Sequence, residues 1–203
     1  EIRKVFAIKD VLVTGRHKTT MQDLVMATQV KPAVSVFNYD LKAIEKNIRQ
    51  LPWVKDVIIK RQLPNIIVIN LQEHQAFATW KTGDDYTLIS QGGIEIMAVK
   101  STDITRPIII GKNAPSHIGT LYSHLLKSPS LASKIKVVER VGGRRWNIAL
   151  TANQGLITIK LPEEGVEEAL QHLVILENKY RILDRALSQI DLRILEQITV
   201  KLK

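Results

Sequence analysis

The sequence contains no cysteine. Disulfides, thiolate zinc sites and thiol nucleophiles are therefore excluded together. Aromatic residues make up only 5% of the chain, so each one present is worth placing individually. No apolar run approaches the ~20 residues that span a bilayer as a helix, and no secretory signal pattern is visible. The chain opens on Glu1 without an initiator Met. The expectation is a fragment or processed product from which an anchor has been removed.

The residue constellations of enzymes are missing too. The five histidines, His17, His74, His117, His124 and His172, form no pair at metal-ligand spacing. There is no Gly-rich Lys-Ser/Thr loop to cradle a phosphate and no Gly-x-Ser-x-Gly elbow. Gly142-Gly143-Arg144-Arg145 offers amides and guanidiniums to an anion. Strand-like Trp146–Leu150 follows it, so a hairpin turn with solvated arginines is the better reading. Glu163, Glu164, Glu167 and Glu168 suit the first turn of a helix, where carboxylates meet the helix dipole. We expect no enzyme, no metal, no cofactor and no small-molecule substrate.

What is present is ordinary globular material. The 203 residues are 45% hydrophobic, enough for one large domain or two ordinary ones. Lys and Arg number 29 against 20 Asp and Glu, a net +9. Residues 1–75 carry +5 of this and the remainder +4, so the excess is spread along the chain. A nucleic-acid binder gathers such charge on one face or stripe. No nucleic-acid partner is expected; a mild preference for anionic surfaces such as lipid headgroups remains.

Residues Phe6–Gly15 read as a strand, followed by a helix that Thr20 can cap. Asn38 or Asp40 opens a second helix with Leu41, Ile44, Ile48 and Leu51 on one face, ended by Pro52. Trp53–Arg61 and Ile66–Glu73 then form a hairpin about Pro64-Asn65. Beyond it come strands at Ala76–Lys81, Tyr86–Ser90, Ile94–Ala98, Ile108–Ile110, Lys136–Val141, Trp146–Leu150 and Leu156–Leu161. This punctuation suggests an antiparallel meander. Helices are expected over His117–Lys127 and Glu164–Arg181, and final strands over Ala186–Arg193 and Ile198–Leu202. The class is α+β: a β-α-α-β-β unit over residues 1–75, then a mostly antiparallel β domain over 76–203 with a long helix in its second half.

Leu51-Pro52-Trp53-Val54, Val57-Ile58-Ile59-Lys60-Arg61-Gln62-Leu63-Pro64, Ile66–Glu73 and Ala76-Phe77-Ala78-Thr79-Trp80 together resemble the POTRA domain and exit strand of the FtsQ and DivIB bacterial cell-division family. Asp191-Leu192-Arg193 is similar to a motif near that family's C-terminus. Leu88-Ile89-Ser90 with Gly92-Gly93 looks like its Leu-Ile-Asp…Gly element, with Ser90 in the Asp position. The likeness spans nearly the whole chain and is thinnest over residues 101–133.

The resemblance implies a POTRA domain at 1–75 and a β domain of FtsQ/DivIB type at 76–203. It implies a non-catalytic divisome scaffold in septum assembly, on the periplasmic side of a single-pass inner-membrane protein. Its partners would be FtsB, FtsL and other septal proteins. In the family, a partner adds a strand to the last strand of the second domain. Here that strand is Ile198, Thr199, Val200, Lys201 and Leu202, with Ile198, Val200 and Leu202 alternating on one face. Family arginines that meet acidic partner residues look like Arg193 and either Arg144 or Arg145. Where the family carries an aromatic residue and a Gly-containing turn after Asp-Leu-Arg, this chain has Ile194-Leu195-Glu196-Gln197. The competing reading is a POTRA-bearing outer-membrane assembly or secretion module.

Overall fold

Thr20 starts the first helix by a reciprocal capping box. Its hydroxyl accepts from Asp23 N at 3.0 Å, and the Asp23 carboxylate accepts from Thr20 N at 3.4 Å. This fixes α1 (Met21–Thr28). Asp40 opens α2 (Leu41–Ile48), its carboxylate accepting from Lys42 N at 2.9 Å. Asn38, the other candidate cap, closes a short 3-10 turn instead.

These elements belong to a computed structural model that describes residues 5–194 and 196–203. The chain divides into two units, residues 1–75 and Ala76–Lys203. In the first, β1 (Asp10–Thr14), β2 (Val54–Gln62) and β3 (Ile66–Glu73) form a sheet in the order β1-β3-β2. β1 runs parallel to β3, and β2 and β3 form the hairpin around Pro64-Asn65. Leu24, Ile44 and Ile48 from the helices pack on Val57, Ile67 and Ile69 from the sheet. The alternation of apolar positions at periods 3.6 and 2 puts them there. Trp53 is half-buried and stands just before β2.

The first strand begins later than its β-branched sequence suggests. Ile8 N and Lys9 N donate to Val34 O and Asn65 O, at 2.8 and 2.9 Å, before the ladder with β3 starts. Ala7 keeps only an isolated bridge to Ser35. At the far end of β1, Gly15 has φ +76 and lies so close to the Leu71 carbonyl that a side chain there would collide with it.

The second unit holds one sheet of nine strands: β4 (Ala76–Thr82), β5 (Asp85–Ser90), β6 (Glu95–Val99), β7 (Ile108–Ile110), β8 (Ile135–Val141), β9 (Arg145–Ala152), β10 (Gly155–Lys160), β11 (Leu187–Ile194) and β12 (Gln197–Leu202). Their order is β12-β11-β10-β9-β8-β7-β4-β5-β6. Antiparallel pairings predominate, but the plain meander is corrected at three joins. β4–β7, β7–β8 and β10–β11 are parallel. A parallel pair needs a crossover, and helices supply two of them. α3 (Pro115–Leu126) and the short α4 (Pro129–Ala132) carry the chain from β7 to β8; α5 (Val166–Tyr180) carries it from β10 to β11. Ile118, Leu121, Leu125, Leu170 and Leu173 of these helices pack on Ile109, Val138, Ile148, Ile159 and Ile190 of the sheet. Each such side chain withdrawn from water contributes about 1.5–3 kcal/mol. Among the described residues, no helix is long and apolar enough to cross a membrane.

Candidate partner-docking edge

The last hairpin places the residues singled out in the sequence at one end of the nine-stranded sheet. β12 is an end strand, paired with β11 on one side only among the described residues. Its outward main-chain groups form a row of open donors and acceptors. The register sets Ile190 opposite Val200 and Asp191 opposite Thr199, with irregularities between Leu187 and Gln189 and between Asp191 and Ile194. Ile190 and Leu192 are buried beneath the helices, so Ile198 and Val200 lie on that same face. Ile198 packs half-buried against the core. Val200 is 45% exposed and Leu202 70%. The strand therefore overhangs the core it borders.

The opposite face of the hairpin carries the charges. Asp191 and Arg193 stand two residues apart on β11, a spacing that points both side chains the same way. Arg193 Nε lies 2.9 and 3.0 Å from the two Asp191 carboxylate oxygens, and Nη2 lies 2.7 Å from Oδ2. Arg193 N also donates to Asp191 Oδ1 at 3.1 Å. This guanidinium holds the Asp191 carboxyl below its ordinary value, against burial that pushes the other way, and the Arg193 pKa is raised in turn.

Arg145, Asp191, Arg193, Ile194, Gln197 and Thr199 line a groove of about 470 Å³. Ile194 is 62% exposed there. The groove separates the two arginines that spacing alone left equivalent. Gly142 and Gly143 turn the β8–β9 hairpin with φ +59 and +72. Arg145 then begins β9 facing away from buried Trp146 and enters the groove with Arg193. Arg144 instead pairs with Glu163, Nη1 to Oε2 at 3.5 Å, beside His117, His124 and Glu167 in a different cavity. Lys201 is exposed on β12 opposite Gln189. Leu195 lies outside the described residues. Thr199, expected on the docking strand, lines the groove, whereas Gln197 had no distinguishing signal as a groove residue. Asp191 had one: its i, i+2 spacing from Arg193 within a strand.

The helix start takes two of the four acidic residues; Glu163 and Glu164 precede Gly165, the N-cap of α5, and lie outside the helix. Glu167 and Glu168 sit in the first turn of α5, and Glu167 pairs with Lys127 at 2.6 Å and His124 at 3.3 Å. Among the described residues, no three His, Asp or Glu side chains gather to hold a metal.

The model for the FtsQ-type POTRA domain matches residues 6–74. The model for the C-terminal domain of the cell division protein FtsQ/DivIB matches residues 78–193. The chain belongs to the FtsQ/DivIB family of cell division proteins. It is 31% identical over 198 residues to the cell division protein FtsQ of Rhizobium meliloti, covering 97% of this chain and 63% of that protein. It is 30% identical to FtsQ of Rhizobium radiobacter, covering 84% of this chain and 80% of that one. The chain thus spans a little over three fifths of the Rhizobium meliloti FtsQ it matches. The major extracytoplasmic domain of DivIB from Geobacillus stearothermophilus superposes at TM-score 0.36 with 14% identity, over 54% of this chain and 97% of that one, too loosely to bear on the fold. The first unit is thus a POTRA domain and the second a mixed-sheet FtsQ/DivIB domain. The C-terminal model stops at Arg193, so β12 lies beyond the matched residues and its role rests on its own geometry.

Proposed function

We propose that this chain is a non-catalytic scaffold of the divisome, in which β12 accepts an added strand from a partner of the FtsB or FtsL kind during septum assembly. The POTRA domain is assigned residues 1–75 and the docking domain 76–203. Both stand on the extracytoplasmic side of the inner membrane, held by an anchor outside this chain. The observation that carries this reading is an open end strand flanked by a cationic groove. Main-chain bonds to β12 supply affinity. Arg145, Arg193, Ile194 and Thr199 in the groove supply selectivity for an acidic residue beside an apolar one.

The test is amide exchange on the chain with and without an FtsB-type peptide. Protection of residues 197–202 is expected, and deletion of Ile198–Lys203 should abolish binding while the POTRA domain stays folded. Unchanged affinity after the deletion, or protection confined elsewhere, rejects the site.

A further inference from the structure

One end of the POTRA domain gathers cations around apolar side chains that stand in water. Main-chain bonds tie three segments together there. Ile8 N donates to Val34 O at 2.8 Å, Val36 N to Phe6 O at 2.9 Å and Lys9 N to Asn65 O at 2.9 Å. Arg61 fastens the same corner, with Nε to Val36 O at 3.0 Å and Nη2 to Tyr39 O at 2.6 Å. Its guanidinium lies 6.0 Å from the centre of the Phe37 ring, which meets the Phe6 ring edge-on at 5.3 Å.

Phe37 is therefore held in place and yet 56% exposed. Leu63, at the tip of the β2–β3 turn, is 58% exposed, and Val5 53%. Lys9 and Lys31 stand exposed in these segments, whereas Lys60, next to Arg61 on β2, points to the other face of the sheet. The neighbouring carboxylates are engaged locally: Asp10 accepts from Val11 N, and Asp40 caps α2. Exposed aromatic and aliphatic side chains with lysines in the same bonded segments fit an interfacial membrane contact.

We propose that this end of the POTRA domain rests on an anionic lipid surface. Phe37 and Leu63 enter the headgroup boundary, and Lys9 and Lys31 meet lipid phosphates. The cation chemistry favours lipid over a protein partner. Arg61 is exposed, but its Nε and Nη2 already donate to the Val36 and Tyr39 carbonyls, so its fork is turned towards the chain's own backbone. Among the described residues, the other cations at this corner are lysines, flexible point charges suited to a fluid array of phosphates. The inference concerns a different unit from β12 and does not depend on strand addition.

The test is co-sedimentation of the 203-residue chain with vesicles of phosphatidylcholine alone, or mixed with phosphatidylglycerol, at low salt. Pelleting is expected with the anionic vesicles only, and should decline as salt shortens the Debye length to a few ångströms, ~3 Å at 1 M. Lys9→Glu with Lys31→Glu should lower the partition by about tenfold or more. Phe37→Ser with Leu63→Ser should weaken it at unchanged circular dichroism. Lys201→Glu with Lys203→Glu, the same charge change on β12, should leave it unaltered.

The proposal is overturned if anionic vesicles pellet nothing, or if the β12 pair costs as much as the POTRA pair. It is equally overturned if the Phe37/Leu63 pair costs nothing, or if a poly-glutamate peptide competes as strongly as the vesicles bind, which would reassign the patch to an acidic protein. Partner-peptide binding at β12 is measured separately, so the two readings fail independently.

Discussion

Arg193 clasps Asp191 from two residues along the same strand, contacting both carboxylate oxygens. The family-matched arginine at the proposed docking groove is thus already partnered within its own chain. One consequence is pre-organisation: a guanidinium fixed on one edge presents its remaining N–H groups in a set direction. An incoming carboxylate would then meet a positioned donor and would not have to order a free side chain.

Asp191→Asn should therefore weaken partner binding even though Asp191 carries the sign that repels an acidic partner. If Asp191 acts only as a competitor for Arg193, the variant will bind more tightly instead. Isothermal titration with an FtsB-type peptide distinguishes these outcomes by sign. Arg193→Ala should weaken binding in either case.

The same pair predicts a pH dependence. Asp191 has a folded-state pKa below its ordinary 3.8. Its stabilising contribution is therefore fully present above that value and is lost as pH falls through the lowered one. Arg193 is about half exposed, so solvent screens the pair and the contribution is small. Denaturant midpoints of the native chain and Asp191→Asn should differ near neutrality and converge in strong acid. A gap that persists at the acid end would show that the variant disturbs packing.

In the POTRA domain, Thr20→Ala removes one half of the capping box and should cost about 1 kcal/mol. Thr20→Ser should cost much less, because it keeps the accepting oxygen. Urea unfolding monitored on the first unit reads this directly.

Gly15→Ala should be far more damaging. Gly15 adopts φ +76, and an added side chain would meet the Leu71 carbonyl of β3. Left-handed strain and the collision together should exceed about 2 kcal/mol. Loss of the first unfolding transition with retention of the second would place the damage in the POTRA domain.

The features legible in the sequence are those set by neighbours in the chain. Thr20 and Asp40 announce their helices because capping is a matter of a few residues. Pro64-Asn65 announces a hairpin for the same reason. The parallel joins of β7 to β4 and β8 were not legible, since Ile108–Ile110 looks alike in either orientation and its neighbours are far away in sequence. The start of β1 was overextended because Ile8 and Lys9 spend their N–H groups on a loop and a turn, which apolar alternation does not reveal. At the docking edge, the alternation of Ile198, Val200 and Leu202 was readable. That β12 ends the sheet was expected only from the family resemblance, because edge position is a property of the whole topology.

The choice between Arg144 and Arg145 shows how one residue of register decides a site. Arg144 ends the Gly142-Gly143 turn while Arg145 begins β9, so the two side chains leave the hairpin in different directions. Arg145 joins Arg193, and Arg144 turns to Glu163. Arg145→Ala should therefore reduce the association rate of an acidic partner and flatten its salt dependence, by about two- to tenfold in rate. Arg144→Ala should leave both unchanged while removing only an exposed ion pair, a loss within about 1 kcal/mol of stability. Stopped-flow association at two ionic strengths checks this. Equal effects from the two variants would mean that the field of the hairpin as a whole steers the partner, and that the groove does not.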